Sequence, residues 1–325
     1  MTTKRCTYKI KSARILLFTL LLMGQTICLS AAPKQKGVAF DFGIGAGYST
    51  LGYKTQSTDL LNAHATGSWG MRANIGVSYF FNNYFGIGIG AAFTRYGGGM
   101  SLNGTMLWEG VTDTDGERYN HHLRLNNWRE IQQQLFLAPN LTLQAVIPAD
   151  RARVLIRFGA EYAACLQASY SGYGELTHTG YYPFGNLTLH DLAKYGFYTT
   201  DRFRPSGELS ADVQQVSLIG AVGVGIPVAK NTELTFAVEA AYAVWSSNKI
   251  PAGGENAIGF HEDLTNGDNG IGNGQDPHYF IPDYVSLTTT SLTQGAMHPL
   301  YIGLQIGVRY TIPLRKRYPC MCLKW

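Results

Sequence analysis

The chain has 325 residues, of which 45% are hydrophobic, 12% aromatic and only 15% charged. A soluble domain averages about a quarter charged residues, so this composition is unusual for one, and it is also too apolar for a disordered chain. Five of the 26 basic residues fall in the first fourteen positions, and without them 21 basic residues face 22 acidic ones. The formal net charge of +4 therefore gives no reason to expect a nucleic-acid partner.

The N-terminal segment has the three parts of a secretory signal peptide. Residues 1–14 carry basic and no acidic side chains, an apolar run follows over residues 15–22, and the small residues Ser30, Ala31 and Ala32 come next. The apolar run is much shorter than the roughly 18 to 20 residues that a transmembrane helix needs. We predict a cleavable signal peptide over residues 1–32, followed by an exported domain.

Eight segments of the exported domain alternate apolar residues with small or polar ones, at the two-residue period of a β-strand. Most have roughly the 9 to 11 residues with which a tilted strand crosses a bilayer, and some are longer. Pro139 interrupts the fourth segment and cannot donate a ladder hydrogen bond, so we expect a bulge there. The segments are residues 40–48, 71–81, 85–94, 131–145, 154–165, 216–226, 234–244 and 302–312.

The connections between these segments alternate in length. Short turns join the second and third, the fourth and fifth, and the sixth and seventh segments. Short turns at one rim and long loops at the other are typical of outer-membrane barrels, with both termini on the short-turn, periplasmic side. The predicted long extracellular loops are residues 49–67, 97–128, 171–209 and 246–297.

The composition of the less apolar face of the segments distinguishes between a membrane barrel and a soluble, lipocalin-like barrel. A soluble exterior is rich in charged residues, whereas this face consists mainly of Gly, Ala, Ser and Gln, and no lysine occurs in any of the eight segments. A lysine or arginine that faces lipid at mid-bilayer costs about 2 to 4 kcal/mol. We therefore predict an all-β protein, an eight-stranded antiparallel up-and-down transmembrane β-barrel in which the more apolar face contacts lipid.

The Gly-rich hairpin over residues 75–93 and the last segment, YIGLQIGVRYTI, resemble a known group of proteins. They are similar to the small outer-membrane β-barrels of the OmpA transmembrane domain and OmpX type, particularly those of Bacteroidota. The resemblance implies a barrel over residues 37–313 and a location in the cell outer membrane. It also implies outer-membrane lipid as surroundings, the barrel-assembly machinery as partner during insertion, and an extracellular ligand bound through the loops. The chain departs from this group by continuing past its last strand, and we expect the basic segment over 314–325 to be a periplasmic tail.

Alternation places six charged residues in the lumen, where an eight-stranded barrel has room only for its own side chains. The first and last strands must pair to close the barrel, so we predict a buried ion pair between Asp41 and Arg309. A structural charge network that fills the interior is the favoured interpretation, and a gated proton or ion path is the alternative. The predicted network is Asp41, Arg72, Arg157, Glu161, Glu239 and Arg309.

No residue pattern indicates catalysis, and we predict no catalytic residue, cofactor or metal site. The eight histidines lie outside the strand segments, and we expect them to be solvated loop residues. The polar run over residues 266–276 does not match a calcium-loop template and is expected to be a surface loop. The histidines are His64, His121, His122, His178, His190, His261, His278 and His298.

The sequence thus favours a non-enzymatic outer-membrane barrel that uses its four long loops for surface recognition, adhesion or envelope integrity. Two alternatives stay open. The first is a barrel enzyme that hydrolyses lipid or peptide at the outer rim, which requires a histidine beside an acid and a serine. The second is an accessory subunit of an envelope secretion or assembly machine, which would be contacted through the basic tail.

Overall fold

Eight antiparallel strands form a ring in which each strand pairs with the next along the chain and the last pairs with the first. This arrangement confirms the prediction of an all-β antiparallel fold with eight strands. The strands are β1 (Gly37–Thr50), β2 (Leu61–Phe80), β3 (Phe85–Thr112), β4 (Arg118–Pro148), β5 (Arg153–Tyr182), β6 (Gln214–Ala229), β7 (Thr232–Ser246) and β8 (Leu300–Pro313).

The structure is a computed structural model that describes most of the predicted barrel domain. The predicted signal peptide, the polar run over residues 266–276 and the tail beyond Leu314 lie outside the described residues. Within the described part, no helix is long and apolar enough to cross a membrane. The described residues are 36–55, 61–113, 116–149, 152–192, 196–247, 249–250, 258–263, 279–284, 286 and 293–314.

The outer surface of the ring is an apolar belt. Because successive side chains of a strand point to opposite faces, the more apolar face of the alternating segments points away from the lumen. Ile89, Leu143 and Leu304 are 66%, 62% and 72% exposed, so the apolar face lies outside and not in the core. Others that form the belt are Phe40, Phe42, Ile44, Ile75, Val77, Ile87, Leu141, Phe158, Val222, Val224, Phe236, Val238 and Ile306.

The two ends of the ring differ. At one end, here called the short-turn end, residues 81–84, 149–152 and 230–231 connect consecutive strands. Strands β2 to β5 continue past the opposite, long-loop end, where β3, β4 and β5 reach 28, 31 and 30 residues. Two of the predicted loops, 97–128 and 171–209, are therefore wrong over most of their length, since they form strands.

The continuation of these strands is called the distal sheet. It consists of residues 61–67 of β2, 98–112 of β3, 118–132 of β4 and 169–182 of β5, with the short strands Leu187–Leu189, Thr199–Thr200 and Ser206–Glu208 paired to β5. At about 3.3 Å per residue, residues 98–112 of β3 and 118–132 of β4 extend roughly 40 Å above the ring. Bulges interrupt its register between Leu102 and Gly104 and between Asn126 and Arg129.

The bulge predicted at Pro139 is absent from the pairings of β4. Pro139 lies opposite Ala91 in a continuous register with β3, and the register with β5 is also continuous from Leu137 to Asn140. The register shift occurs instead between Leu135 and Phe136, at the long-loop end. Pro139 points outward and is exposed. The ladder therefore accommodates a proline without an extra residue.

Candidate functional site

The lumen contains the six charged residues that alternation placed there. They come from β1, β2, β5, β7 and β8, and the pairing register sets them at two heights. A central cluster surrounds Arg72, and a second cluster nearer the short-turn end surrounds Arg309. The six residues are Asp41, Arg72, Arg157, Glu161, Glu239 and Arg309.

Arg72 is the centre of the first cluster. Its Nη2 lies 2.5 Å from Oε2 of Glu161, and its Nε lies 3.2 Å from Oε1 of Glu239. Its Nη1 donates to Oγ1 of Thr94 at 2.7 Å. The side chains of Arg72 and Glu161 are each only 1% exposed. Because burying a charge is costly unless it is paired and hydrogen-bonded, this geometry meets the condition under which such groups are tolerated.

Glu239 links the central cluster to a second arginine. Nη2 of Arg157 lies 3.1 Å from Oε1 of Glu239 and donates to Oε1 of Gln305 at 3.2 Å. Nδ2 of Asn74 donates to the other carboxylate oxygen of Glu239 at 3.4 Å. Glu239 therefore accepts from three side chains, two on β2 and one on β5. Such a shared acceptor holds the strands β2, β5 and β7 in one register across the lumen.

The second cluster joins the first and last strands. Nε of Arg309 lies 2.6 Å from Oδ1 of Asp41, and Nη2 of Arg309 donates to Oε1 of Gln144 at 2.8 Å. Oγ of Ser78 donates to Oδ2 of Asp41 at 3.1 Å. The guanidinium also lies over the Phe80 ring, 5.6 Å from its centroid, in a cation–π contact. The cluster thus ties β1 to β8 at the seam of the ring.

A further ion pair, between Arg153 and Glu233, was missed by the sequence analysis. Both residues fall just outside the predicted segments 154–165 and 234–244, although they lie at the ends of β5 and β7. The signal was present, because Arg153 and Glu233 are an even number of positions from the lumen residues Arg157 and Glu239. Extending each segment by one residue at its start would have included them.

The paired lumen charges balance within the described residues. Four arginines, at 72, 153, 157 and 309, face four carboxylates, at 41, 161, 233 and 239. Cavities of about 40 and 20 Å³ remain among these groups. Spaces of this size have room for a few water molecules and not for a diffusing solute, since roughly 10 to 15 Å³ of such volume holds one water. The arrangement fills and orders the interior.

An apolar layer lies above the charges, at the long-loop end of the ring. Tyr96 and Phe136 pack edge to face with ring centroids 5.6 Å apart. Chain segments that enter or leave the ring supply further buried side chains to the same cluster. Other large members are Leu51, Tyr53, Val213, Ile219, Met297 and Tyr301. The layer separates the lumen charges from the distal sheet.

The distal sheet has a hydrophobic core of its own. Trp128 is fully buried and stacks on Phe203, with centroids 5.8 Å apart. The other buried members of this core are Ala63, Met100, Leu102, Met106, Leu123, Leu125 and Leu176. Because these residues form a cluster separate from the apolar layer of the ring, the sheet is held together by contacts that it makes with itself.

Two histidines form a buried pair in the distal sheet, which corrects the expectation that all eight are solvated loop residues. His121 and His178 are each 1% exposed, and Nε2 of His121 lies 3.2 Å from Nδ1 of His178. Burial, followed by the nearby His178 and His122, lowers the pKa of His121 to about 3, and burial lowers that of His178 to about 4. The rings around the pair are Trp108, Tyr119, Phe197 and Tyr198.

The surroundings of this pair are aromatic. His190 and Asp191 form an ion pair on the surface, with side chains 68% and 79% exposed. Across the part of the chain that the structure describes, no three His, Cys, Asp or Glu side chains converge as a metal site would require. His121 and His178 therefore contribute to the packing of the distal sheet.

Comparison with known proteins gives similar solved structures only at low identity. No family model matches the chain, and no curated protein matches it either. The outer membrane protein OprG from Pseudomonas aeruginosa is 13% identical, with a TM-score of 0.35, and the match covers 86% of this chain and 99% of that one. Ail, the attachment invasion locus protein of Yersinia pestis, is 12% identical, with a TM-score of 0.27 and coverage of 85% and 99%.

Neisserial surface protein A is 10% identical to this chain, with a TM-score of 0.27 and coverage of 86% and 100%. Because these similarities are weak, we infer the function of this chain from its own residues.

Removing one partner of the central cluster is expected to destabilise the ring. Arg72→Met leaves Glu161 buried without its main cation, a change that typically costs about 3 to 5 kcal/mol. Urea unfolding of the refolded protein in detergent micelles, followed by tryptophan fluorescence, measures the loss. Arg202→Met, which removes an exposed arginine, is the control and should cost less than about 0.5 kcal/mol. In the double variant Arg72→Met/Glu161→Gln the loss should be smaller than the sum of the single losses; equal effects for Arg72→Met and Arg202→Met would contradict the prediction.

The histidine pair should make the distal sheet sensitive to acid. The folded pKa values lie below the unfolded value of about 6.5, so the unfolded sheet takes up protons that the folded sheet excludes. The stabilisation is complete above about pH 6.5 and is lost as the pH falls toward 4. Limited proteolysis of the distal sheet between pH 7.5 and 4.5 measures this, and cleavage should accelerate with acidification.

In the double variant His121→Phe/His178→Phe the pH dependence of this cleavage should flatten, because the aromatic packing remains while both titrating groups are removed. His64→Gln replaces an exposed histidine of β2 and is the matched control. A pH dependence that persists unchanged in the double variant would show that other groups cause it.

Proposed function

We propose that this chain is a non-enzymatic outer-membrane β-barrel that presents its distal sheet and long loops outside the cell for surface recognition, adhesion or envelope integrity. A cleaved signal peptide over residues 1–32, a barrel over 37–313 and a basic periplasmic tail over 314–325 belong to this proposal. So does the relationship to the barrels of the OmpA transmembrane domain and OmpX type, particularly in Bacteroidota.

The apolar belt supports a position in a membrane. A soluble monomer rarely exposes a continuous apolar surface larger than a few hundred Å², and here outward apolar side chains encircle all eight strands. A ring of paired strands also satisfies its own backbone hydrogen bonds, which is the condition for crossing hydrocarbon without a helix. Lipid around the belt meets both requirements.

The two ends of the ring support the orientation. Outer-membrane barrels have short turns on the periplasmic side and longer loops on the extracellular side. Here the described chain begins and ends at the short-turn end, where the backbone nitrogen of Leu314 donates to the carbonyl oxygen of Lys36 at 3.1 Å. In this orientation the distal sheet stands outside the cell.

The distal sheet is the observation that carries the functional proposal. A barrel needs about 9 to 11 residues per strand to cross the membrane, whereas β4 has 31. The additional length forms a sheet with its own core, and its distance from the ring makes it unnecessary for closing the barrel. A rigid platform of this kind suits binding of an extracellular ligand. The barrel-assembly machinery is the proposed partner during insertion, and no nucleic acid is involved.

A charge in the belt should destabilise the protein in lipid. Ile306→Arg places a cation near the middle of the belt and is expected to cost about 2 to 4 kcal/mol. Leu107→Arg is the matched control, because Leu107 is 40% exposed, close to the 46% of Ile306, but lies on the distal sheet. Urea unfolding in phospholipid vesicles measures both. Similar costs for the two variants would argue against lipid around the belt.

Removing the distal sheet should abolish the surface function and leave the barrel assembled. Gly98 pairs with Gln132 and Ser169 pairs with Glu208, so residues 99–131 and 170–207 can each be replaced by an Asn-Gly turn in register. This deletion leaves the apolar layer intact and removes nearly all of the distal core. Heat-modifiable gel migration checks that the barrel still assembles.

Attachment of cells to immobilised extracellular material, and their resistance to detergent, are then compared with those of cells that produce the full chain. We expect one or both to fall to the level of cells without the protein. Asn83→Gly, which changes a turn at the opposite end, is the control and should behave like the full chain. A deletion variant that assembles and keeps both properties would contradict the proposal.

A further inference from the structure

Three exposed arginines follow one another up the outer face of β3 and β4, starting at the edge of the apolar belt. Arg95 is the first outward residue above Phe93, and it donates from Nη2 to the side-chain oxygen of Gln133. Arg129 follows four residues from Gln133, about 13 Å higher, and Arg124 follows Arg129 at a similar spacing. This series is called the arginine ladder.

The ladder differs from the lumen arginines in its partners. Every arginine of the lumen clusters pairs with a carboxylate, whereas no ion pair among the described residues includes Arg95, Arg124 or Arg129. Glu175 lies on this face, opposite Asn126 of β4. The carboxylate of Glu175 accepts from Nδ2 of Asn126 at 2.9 Å. The ladder therefore presents cationic groups that point outward and have no carboxylate within ion-pair distance.

The residues beside the ladder are hydroxyl-bearing. Arg129 lies between Ser101 of β3 and Tyr173 of β5, and Arg124 lies between Thr105 and Thr177. Guanidinium groups bind phosphate in a bidentate manner, and hydroxyl groups exchange hydrogen bonds with sugars. At its lower end the ladder meets the belt, since Arg95 lies opposite Met71 and Leu135. From the belt outward, this surface thus presents apolar side chains suited to lipid, guanidinium groups suited to phosphate and hydroxyl groups suited to sugars.

We propose that the arginine ladder binds a phosphorylated glycolipid of the surrounding leaflet, with a phosphate near the acyl chains at Arg95 and further anionic groups of its sugars at Arg129 and Arg124. A phospholipid headgroup could reach only the first arginine, because the third lies more than about 20 Å above the belt. A lipid-linked saccharide spans that height. The inference rests on the proposed function, since it requires the belt to lie in a membrane.

The test measures binding of fluorescently labelled lipopolysaccharide to the full-length protein in detergent micelles. Near an anionic surface one arginine is worth about 1 kcal/mol, so Arg95→Gln should weaken binding about fivefold, and Arg124→Gln/Arg129→Gln about 25-fold. Raising the salt concentration should weaken binding by the unmodified chain. Lys230→Gln, which removes an exposed cation in a turn at the short-turn end of the ring, is the control and should leave the affinity unchanged.

Three further probes identify the source of the anionic groups: the same glycolipid after enzymatic dephosphorylation, its deacylated saccharide, and phosphatidylglycerol. The proposal expects clear preference for the intact phosphorylated glycolipid. Equal binding of the dephosphorylated glycolipid would overturn it, as would equal binding of the free saccharide. Phosphatidylglycerol binding that equals that of the glycolipid and depends on Arg95 alone would also overturn it.

Heat-modifiable migration and vesicle insertion are measured on every variant, so that the two proposals can fail separately. A chain that does not insert at all contradicts the membrane location itself. A chain that inserts, migrates as a folded barrel and binds the glycolipid equally with and without the ladder arginines contradicts only the glycolipid site.

Discussion

Closure of an eight-stranded ring is the constraint on which the rest of the structure depends. Eight strands leave an interior just wide enough for their own side chains, so every inward residue must fit beside its neighbours and every inward charge must find a partner. Inward Gly43 shows how tight the space is, because a Cβ there would lie 2.4 Å from the amide nitrogen of Gln305. Four arginines and four carboxylates fill what the glycines leave open, and they connect strands that do not pair directly.

The same closure allows strands to extend beyond the long-loop end of the ring. Once the apolar layer around Tyr96 and Phe136 covers the lumen, strands β3 to β5 can continue without exposing the charged interior. Their continuation contains a second core around Trp128, so the outer platform and the ring are stabilised by separate sets of contacts. The outward residues also change along the strands, from aliphatic side chains on the belt to Arg, Ser, Thr and Asn on the distal sheet.

Alternation was sufficient to predict the eight strands and the inward direction of the six lumen charges, because one residue in two faces the same side throughout the ring. It failed above the ring, where bulges beside Gly104 and at Asn127 reverse the parity and split the pattern into short pieces. Asn127 has a φ of 51°, which a single sequence does not reveal. The burial of His121 and His178 was missed for the same reason, since it depends on strands that were assigned to loops.

The ion pair between Asp41 and Arg309 spans 268 positions of the chain. Until β8 pairs with β1, one edge of β1 has unpaired backbone groups, and Asp41 lacks the guanidinium of Arg309. An unfinished or truncated polypeptide therefore carries two defects at one place, a row of unpaired backbone groups and an unneutralised carboxylate. Pairing of the C-terminal strand with β1 satisfies the backbone groups of the open edge and places Arg309 beside Asp41, so both defects are removed together.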